Sequence, residues 1–540
     1  MADLVGVAVV AGLGTALAHG DRSWITQGPP PPDARLVWWR AATTAPPLVA
    51  AGTRPRACWD LGAVHRLLYG GRRDDPAAVF SPGREVCEPP RSADAPTLLD
   101  LVADVDPVRA DGSLSPDWAA EPWAARGEPA DLQRACRWAA LALDVQRRQQ
   151  AALGALPDPR PSAKAPPLAL LTAYAESAAA LLAVELEHDG LPVDRAAARA
   201  LLTAAIGDPP TDQQAARAAR DARVLKHFPG PADLRNPLQV RELLLRIGID
   251  VKDTRSWRLE PHRATSPAVA ALLDWRKTER IATTYGWEWL ARHVGPDNRL
   301  RGSWGAADAA AGRMTASAGL HNLPAELRPA IAAPPGRLLV RADLGQVEPR
   351  VLAVVSGDTG LAAAAREQDM YAPVAAQLGA DRPTAKIAVL AAMYGQTSGA
   401  AGAALLAMEA AYPTALAHLR AAEATGRDGG ELRTWGGRLL RFGGGGSGRG
   451  ARNAVVQGAA AELFKMWAAT VRSGLPALDG RVVLCLHDEL LLEVPEPAAA
   501  AAADLLRSGL AEAAGRWAAG SGVRFVADVS VVRRWSDAKG

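Results

Sequence analysis

The sequence predicts a multi-domain α/β protein of the α+β kind, and three observations predict it. Strand-like and helix-like runs alternate through the first 165 residues, and a Pro-rich connector at 157–167 closes that segment. Long helical patterns dominate from Leu168 to about residue 300. Further on, two apolar runs flank His487, Asp488 and Glu489, which reads as a β-hairpin with a polar tip over 482–494. At 540 residues the chain has room for several domains.

Composition narrows the class. The chain is 49% hydrophobic and 22% charged, ordinary for a soluble globular protein. Its formal net charge is only +3, so a face for a polyanion has to come from local clustering. Seven lysines stand against 54 arginines, a coding bias that makes each lysine more noticeable. Cys58, Cys87, Cys136 and Cys485 are scattered without metal-type spacing. That pattern fits a reducing cytoplasm and argues against a disulfide framework or a zinc site. The apolar run at 4–18 follows Asp3 with no Lys or Arg before it, which is wrong for a secretory leader. It is also broken by Gly12 and Gly14 and too short to span a bilayer. A strand, a glycine turn and a second strand fit it better, and no other stretch reads as a membrane span.

Residues 1–165 read as a small α/β unit. Its strand-like runs are 5–10, 36–39 and 48–50, and its helix-like runs 63–69 and 132–149. A long amphipathic helix follows over 168–187, ending at Asp189-Gly190. Asp194 then opens another helix, and Asn236-Pro237 opens the segment 238–247. Within 268–285, Arg276, Lys277 and Arg280 share one side of a helix, a pattern that is most often a solvated face.

The next stretch is different. A strand over 338–342 leads into Asp343, and a helix begins near Val347 with Pro349 in its first turn, where a missing N–H matters least. A carboxylate at a strand end, followed by a tight turn and a helix carrying Gln346, Glu348 and Arg350, is a site-like arrangement. In the helix predicted over 381–394, Arg382, Lys386, Leu390 and Tyr394 recur every four residues and so lie along one face. An Arg, a Lys one turn on and a Tyr two turns further suit a polyphosphate with an aromatic floor at its end. From 432 to 461 there is no acid, while Arg433, Arg438, Arg441, Arg449 and Arg452 all fall there, predicting a local positive surface. The glycines at 443–446 are not a phosphate-binding loop, since no Gly-Lys-Ser/Thr follows. They lead into a helix carrying Asn453 and Gln457. The tail, 526–535, alternates like a strand and is expected to pair beside the hairpin.

A lone His-Asp-Glu tip is usually a solvated turn. A second strand-end acid, Asp343, changes its weight, because two carboxylates can hold metal ions, two cations can hold phosphates, and an arginine-rich channel can hold a polyanion. Carboxylate oxygens and water suit Mg²⁺.

At this point the sequence resembles the family A DNA polymerases, the bacterial DNA polymerase I-like group. Asp343-Leu-Gly-Gln-Val-Glu-Pro-Arg350 resembles motif A, usually Asp-Tyr-Ser-Gln-Ile-Glu-Leu-Arg. Arg382, Lys386, Tyr394 and Gly395 match motif B, and His487-Asp488-Glu489 matches motif C. Ala311-Gly-Arg-Met-Thr315 with His321-Asn-Leu-Pro324, and Arg449, Asn453, Gln457 and Gly458, add two further matches. The matches cover roughly residues 168–540, in the family's order.

The resemblance implies a right-hand polymerase fold, with an antiparallel palm sheet and helical fingers and thumb, behind an RNase H-like exonuclease-type domain. The division it implies is 1–165 for a degenerate 3′–5′ exonuclease-like domain and 166–540 for the polymerase. Within the latter, 190–300 is thumb, 337–358 and 470–540 palm, and 359–465 fingers. It implies a template-directed DNA polymerase, adding deoxynucleotides to a primer 3′ end with two Mg²⁺ ions, in DNA replication or repair. Partners are primer–template DNA and deoxynucleoside triphosphates, with no membrane and a monomeric state, in the cytoplasm at the nucleoid. Asp343 and Asp488 hold metal, helped by the Leu344 carbonyl. Arg382 and Lys386 bind the triphosphate, and Lys386 donates a proton to pyrophosphate. Tyr394 stacks near the templating site, with Leu390 on the same face. Glu348 crowds the sugar 2′ position, Gln346 and His487 support the nucleotide and primer end, and Glu489 is a secondary carboxylate. Arg313, Asn322, Arg449, Asn453 and Gln457 contact DNA without reading sequence.

Departures from the family pattern are Leu344, Gly345 and Pro349 in motif A, Leu390 for the usual aromatic of motif B, Cys485 before motif C, and His321. None removes a metal ligand or a phosphate cation. A proofreading exonuclease needs Asp-x-Glu on its first strand, and no acid lies between Asp3 and Asp21. That activity is therefore expected to be absent. A single-subunit RNA polymerase shares the Lys…Tyr-Gly helix, but Glu348 argues against it. A catalytically impaired DNA-binding protein is the other alternative.

Overall fold

Two β-sheets organise the chain, and a mostly buried helix joins their cores. The computed structural model describes residues 3–82, 106–162, 166–308, 311–395, 400–443, 448–486 and 488–538. Cys87, His487 and most of the 443–446 glycine loop lie outside the described residues.

The first sheet has the order Arg22–Thr26, Gly14–His19, Leu4–Val10, Arg35–Trp38, Ala57–Asp60. The first three strands form an antiparallel meander, and the last two run parallel to one another and to Leu4–Val10. The Asp131–Gly154 helix packs on this sheet so closely that a Cβ on Gly6 would sit 2.0 Å from the Ala139 carbonyl oxygen. Only glycine fits there. Trp39 and Trp138 stack beneath with ring centroids 4.1 Å apart.

Two sequence readings change here. Residues 48–50, expected as a strand, end the Ala41–Ala50 helix. Its first amide, on Ala41, donates to Asp60 Oδ2 at 2.5 Å, a partner from another strand that no local pattern reveals. Arg22–Thr26 was invisible as a strand because it is an almost wholly exposed edge without alternation.

The Leu168–Asp189 helix passes the length and apolarity test for a membrane span, yet 72% of that window is buried inside the protein. Its two buried acids are matched. Glu176 receives Lys465 Nζ and Arg438, each at 2.7 Å, and Glu185 accepts both Arg472 Nε and Nη2 at 2.6 Å. These buried carboxylates are tolerable only because each is paired and hydrogen-bonded.

The second sheet is antiparallel throughout, in the order Arg481–Leu486, Glu489–Pro495, Arg337–Gly345, Val526–Val532. The predicted hairpin is present. The tail strand joins the same sheet, but beside Arg337–Gly345 rather than beside the hairpin. Alternation announces a strand and not its neighbour. The Arg449–Gly474 and Ala499–Trp517 helices share one core with this sheet, closed by Trp467 and Trp517.

By contact density the chain forms two units. One comprises Met1–Gly190, Ser303–Ala316 and Gly336–Val532, and the other Leu191–Gly302, Ser317–Pro335 and Arg533–Gly540. The second unit is helical around Leu243, Leu244, Val269, Leu272 and Trp275. Its helices start as the sequence suggests, with Asp194 accepting from the Ala197 amide and Asn236 from the Leu238 amide.

Candidate active site

The site is built on the two middle strands of the antiparallel sheet. Asp343 stands directly opposite Glu489 on one side and Asp528 on the other. Directly opposed residues project from the same face, so three carboxylates form a row across three strands. Asp488 sits at the hairpin tip, and its carbonyl accepts the Leu344 N–H at 2.8 Å. That backbone bond holds the two metal-candidate aspartates at one corner of the sheet. Leu344 itself is buried, with Ala527 as its register partner.

The electrostatics of this corner are uneven. Burial first, then repulsion from Asp343, raises the Asp488 carboxyl from an ordinary 3.8 to about 6; Glu489 and Glu348 add to the repulsion. Arg341 offsets part of the charge. Its Nη2 donates to Asp343 Oδ2 at 2.6 Å and to Glu489 Oε2 at 2.8 Å, and its side chain is 3% exposed. Asp343 remains a third exposed and Glu489 is almost closed off. Among the described residues no group of three or more His, Cys, Asp or Glu side chains is placed to hold a metal ion. An aspartate pair under mutual repulsion, with one member open to solvent, suits a hydrated hard cation that keeps most of its ligands as water or phosphate.

After Gly345 the chain turns through Gln346 in the left-handed conformation, φ 54°, and enters the Val347–Ser356 helix. For a non-glycine residue this conformation costs about 1–2 kcal/mol, and hydrogen bonds pin it. The Gln346 side-chain oxygen accepts from Arg350 and from the Met370 amide, and its nitrogen donates to Asp369. Arg350 is fully buried and donates to the carbonyls of Gly345, Ala365, Glu367, Gln368 and Arg524. In this state Gln346 braces the turn.

The Arg382–Tyr394 helix begins at the Asp381 cap and buries Ala385, Ala388, Val389, Ala392 and Met393. Arg382, Lys386 and Tyr394 stay exposed and Leu390 half-buried, so the four-residue stripe is real. Arg382 pairs with Asp369 at 2.5 Å. Tyr394 donates from its hydroxyl to Glu348 Oε2 at 3.0 Å, and Arg313 Nη2 reaches Glu348 Oε1 at 2.5 Å. Burial first, and then the Glu348 carboxylate, raises the Tyr394 hydroxyl above its usual range, while a hydrogen bond with Gln457 opposes that. One acid, Glu348, therefore ties motif A to the end of the cationic stripe and to Arg313.

Gln457, Asn453 and Arg449 follow one another at four-residue intervals on the Arg449–Gly474 helix. They form its less buried edge, with Arg449 exposed. The acid-free window is not a uniformly positive surface. Arg438 is buried on Glu176, Arg452 is buried on Glu423 and the Ala392 carbonyl, and Arg441 pairs with Glu431. Asn322 belongs to the second unit, where its carbonyl accepts from Arg280 and the Tyr285 hydroxyl. His487 lies outside the described residues.

The family model described as DNA polymerase family A matches residues 220–416 and 441–537, more than half of the chain. The chain belongs to DNA polymerase family A. A DNA polymerase I of Chloroflexus aurantiacus is 31% identical over 337 residues, covering 53% of this chain and 36% of that protein. The thermostable DNA polymerase I of Thermus filiformis is 30% identical over 326 residues, covering 53% and 38%. This family A chain thus matches little more than a third of those relatives' length. In fold it is similar, with a TM-score of 0.67 at 21% identity, to the POL domain of Pol1 from M. smegmatis, solved with DNA primer–template and dNTP. That likeness covers 100% of this chain and 97% of that one.

The motif reading missed Arg341, Asp369 and Asp528. Arg341 had a signal, since it shares strand parity with Asp343. Asp369 and Asp528 had none beyond their charge.

Proposed function

We propose that the protein is a template-directed DNA polymerase that adds deoxynucleotides to a primer 3′ end. The observation that carries this is the repelling pair Asp343 and Asp488, joined through Glu348 to the Arg382–Lys386–Tyr394 stripe. Two Mg²⁺ ions, held by the two aspartates and the Leu344 carbonyl, would supply an acidified primer hydroxyl and charge neutralisation at phosphorus. The chain's own residues do the rest. Arg382 leaves Asp369 for the triphosphate, and Lys386 binds beside it and protonates the departing pyrophosphate oxygen. Glu348 occupies the space a ribose 2′-hydroxyl would need, and Leu390 and Tyr394 floor the nucleotide site. Gln346 and His487 support the nucleotide and primer end. Arg313, Asn322, Arg449, Asn453 and Gln457 hold the primer–template backbone.

The antiparallel sheet serves as palm, 359–465 as fingers and 190–300 as thumb. Residues 1–165 serve as an exonuclease-like scaffold without 3′–5′ activity. The sheet order there supports the first half of that reading, and the acid-free Leu4–Val10 strand supports the second. The protein works as a monomer on chromosomal DNA, in replication or repair.

The test is nucleotide choice on a primed template with Mg²⁺. Deoxynucleotides are added and ribonucleotides are not; preferred ribonucleotide addition would move the protein to the RNA polymerases. A mismatched primer incubated without nucleotides keeps its length, and metal-dependent shortening from the 3′ end would overturn the scaffold reading.

A further inference from the structure

Arg341 touches both Asp343 and the neighbouring acid Glu489. It lies two residues before Asp343 on the same strand and diagonal to Glu489 on the next, so strand parity puts all three on one face. One guanidinium nitrogen reaches Asp343 Oδ2 at 2.6 Å and Glu489 Oε2 at 2.8 Å. Arg341 and Glu489 are both buried, 3% and 8% exposed at the side chain, while Asp343 is 33% exposed. The cation therefore sits on the buried side of these carboxylates, and of the three side chains Asp343 is the one that solvent reaches.

We propose that Arg341 is a built-in cation that sets the metal affinity of this site, an inference that rests on the polymerase reading above. It acts in two ways. It holds Asp343 by Oδ2, which restrains the carboxylate from behind. It also engages Glu489 as a buried salt-bridge partner and so withholds a third carboxylate from the ligand set. A permanent positive charge bonded to an aspartate that would hold metal weakens divalent binding, and a guanidinium cannot shed that charge. Arg341 is thus a positioning residue. The chemistry is left to Asp343 and Asp488, and the enzyme is tuned to a high working concentration of Mg²⁺.

The test reads metal binding directly. Mn²⁺ is titrated into the full-length protein without nucleotide and followed by electron paramagnetic resonance, and folding of each variant is checked by thermal melting. Arg341→Met binds Mn²⁺ about tenfold more tightly than the wild type, the factor expected for removing one nearby charge. The Mg²⁺ concentration for half-maximal primer extension falls in parallel. The gain depends on Glu489, so Arg341→Met/Glu489→Gln loses most of it. Unchanged or weaker Mn²⁺ binding by Arg341→Met, or a full gain in the double variant, would overturn the proposal. Should Arg341→Met fail to fold, Arg341→Gln carries the test. It removes the charge but keeps a side-chain donor, so Mn²⁺ binding again tightens about tenfold, and no gain overturns the inference. A wild type that binds Mn²⁺ but never extends a primer refutes the polymerase reading instead.

Discussion

Asp60 and Asp488 both end or follow a strand, and both carboxyls are raised to about 6, yet they do opposite things. Asp60 ends the Ala57–Asp60 strand, is 3% exposed, and accepts the amides of Ala41 and Ala63 at 2.5 and 2.7 Å. Its shift comes almost wholly from burial, and its hydrogen bonds start two helices. Asp488 owes its shift to burial and also to Asp343, Glu489 and Glu348. A single buried acid capping amides is a structural part. An acid whose affinity for its proton is raised by neighbouring carboxylates belongs to a site waiting for positive charge. A perturbed carboxyl alone would not have separated the two cases.

The comparison breaks first at activity. Asp343→Ala and Asp488→Ala each lower single-turnover primer extension by at least about 1,000-fold, roughly 4 kcal/mol of transition-state stabilisation. Primer–template affinity, read by fluorescence anisotropy, stays near that of the wild type. A near-normal rate in either variant removes that aspartate from the metal set.

Stability is the next lever. Asp60→Ala leaves one buried and one partly buried amide without an acceptor and costs roughly 2–4 kcal/mol in chemical denaturation, while the rate per folded molecule is kept. A drop in that rate would mean that the first sheet takes part in catalysis.

The pH dependence sharpens the contrast. Asp488 binds its proton more tightly folded, near pH 6, than unfolded, near 3.8. Below about pH 4 both states are protonated and nothing is lost. As pH rises through 4 to 6 the unfolded chain releases its proton first, so stability falls, by at most roughly 3 kcal/mol above pH 6. In chelator, Asp488→Asn therefore melts higher than the wild type at pH 8 and equally at pH 4. Added Mg²⁺ closes the gap by stabilising the wild type alone. Equal melting at both pH values would contradict the repulsion.

The smallest effect concerns Glu348. Glu348→Ala releases Arg313 and Tyr394 and opens space at the sugar, raising ribonucleotide incorporation by about tenfold. Unchanged selectivity would leave Glu348 as a tether only.

What could be read from the sequence followed from periodicity. The Arg382–Lys386–Tyr394 stripe and the hairpin carrying Asp488 are local patterns, so spacing revealed them. Parity with Asp343 marked Arg341's face, but its second partner was hidden because Glu489 is 148 residues away in sequence. Arg438 and Arg452 read as surface charge because their acids, Glu176 and Glu423, lie outside the arginine-rich window. The tail strand was seen, but its place beside Asp343 was not, since register is a property of the assembled sheet. The hydrogen bonds by which Gln346 holds its strained turn join it to Arg350, Met370 and Asp369, partners that the motif does not name.

The most direct measurement is primer extension by the wild-type protein with Mg²⁺ and four deoxynucleotides, with chelator as control. Template-directed extension is expected, abolished by chelator and restored by added Mg²⁺. No extension at enzyme equal to primer, by protein that melts cooperatively, would contradict it.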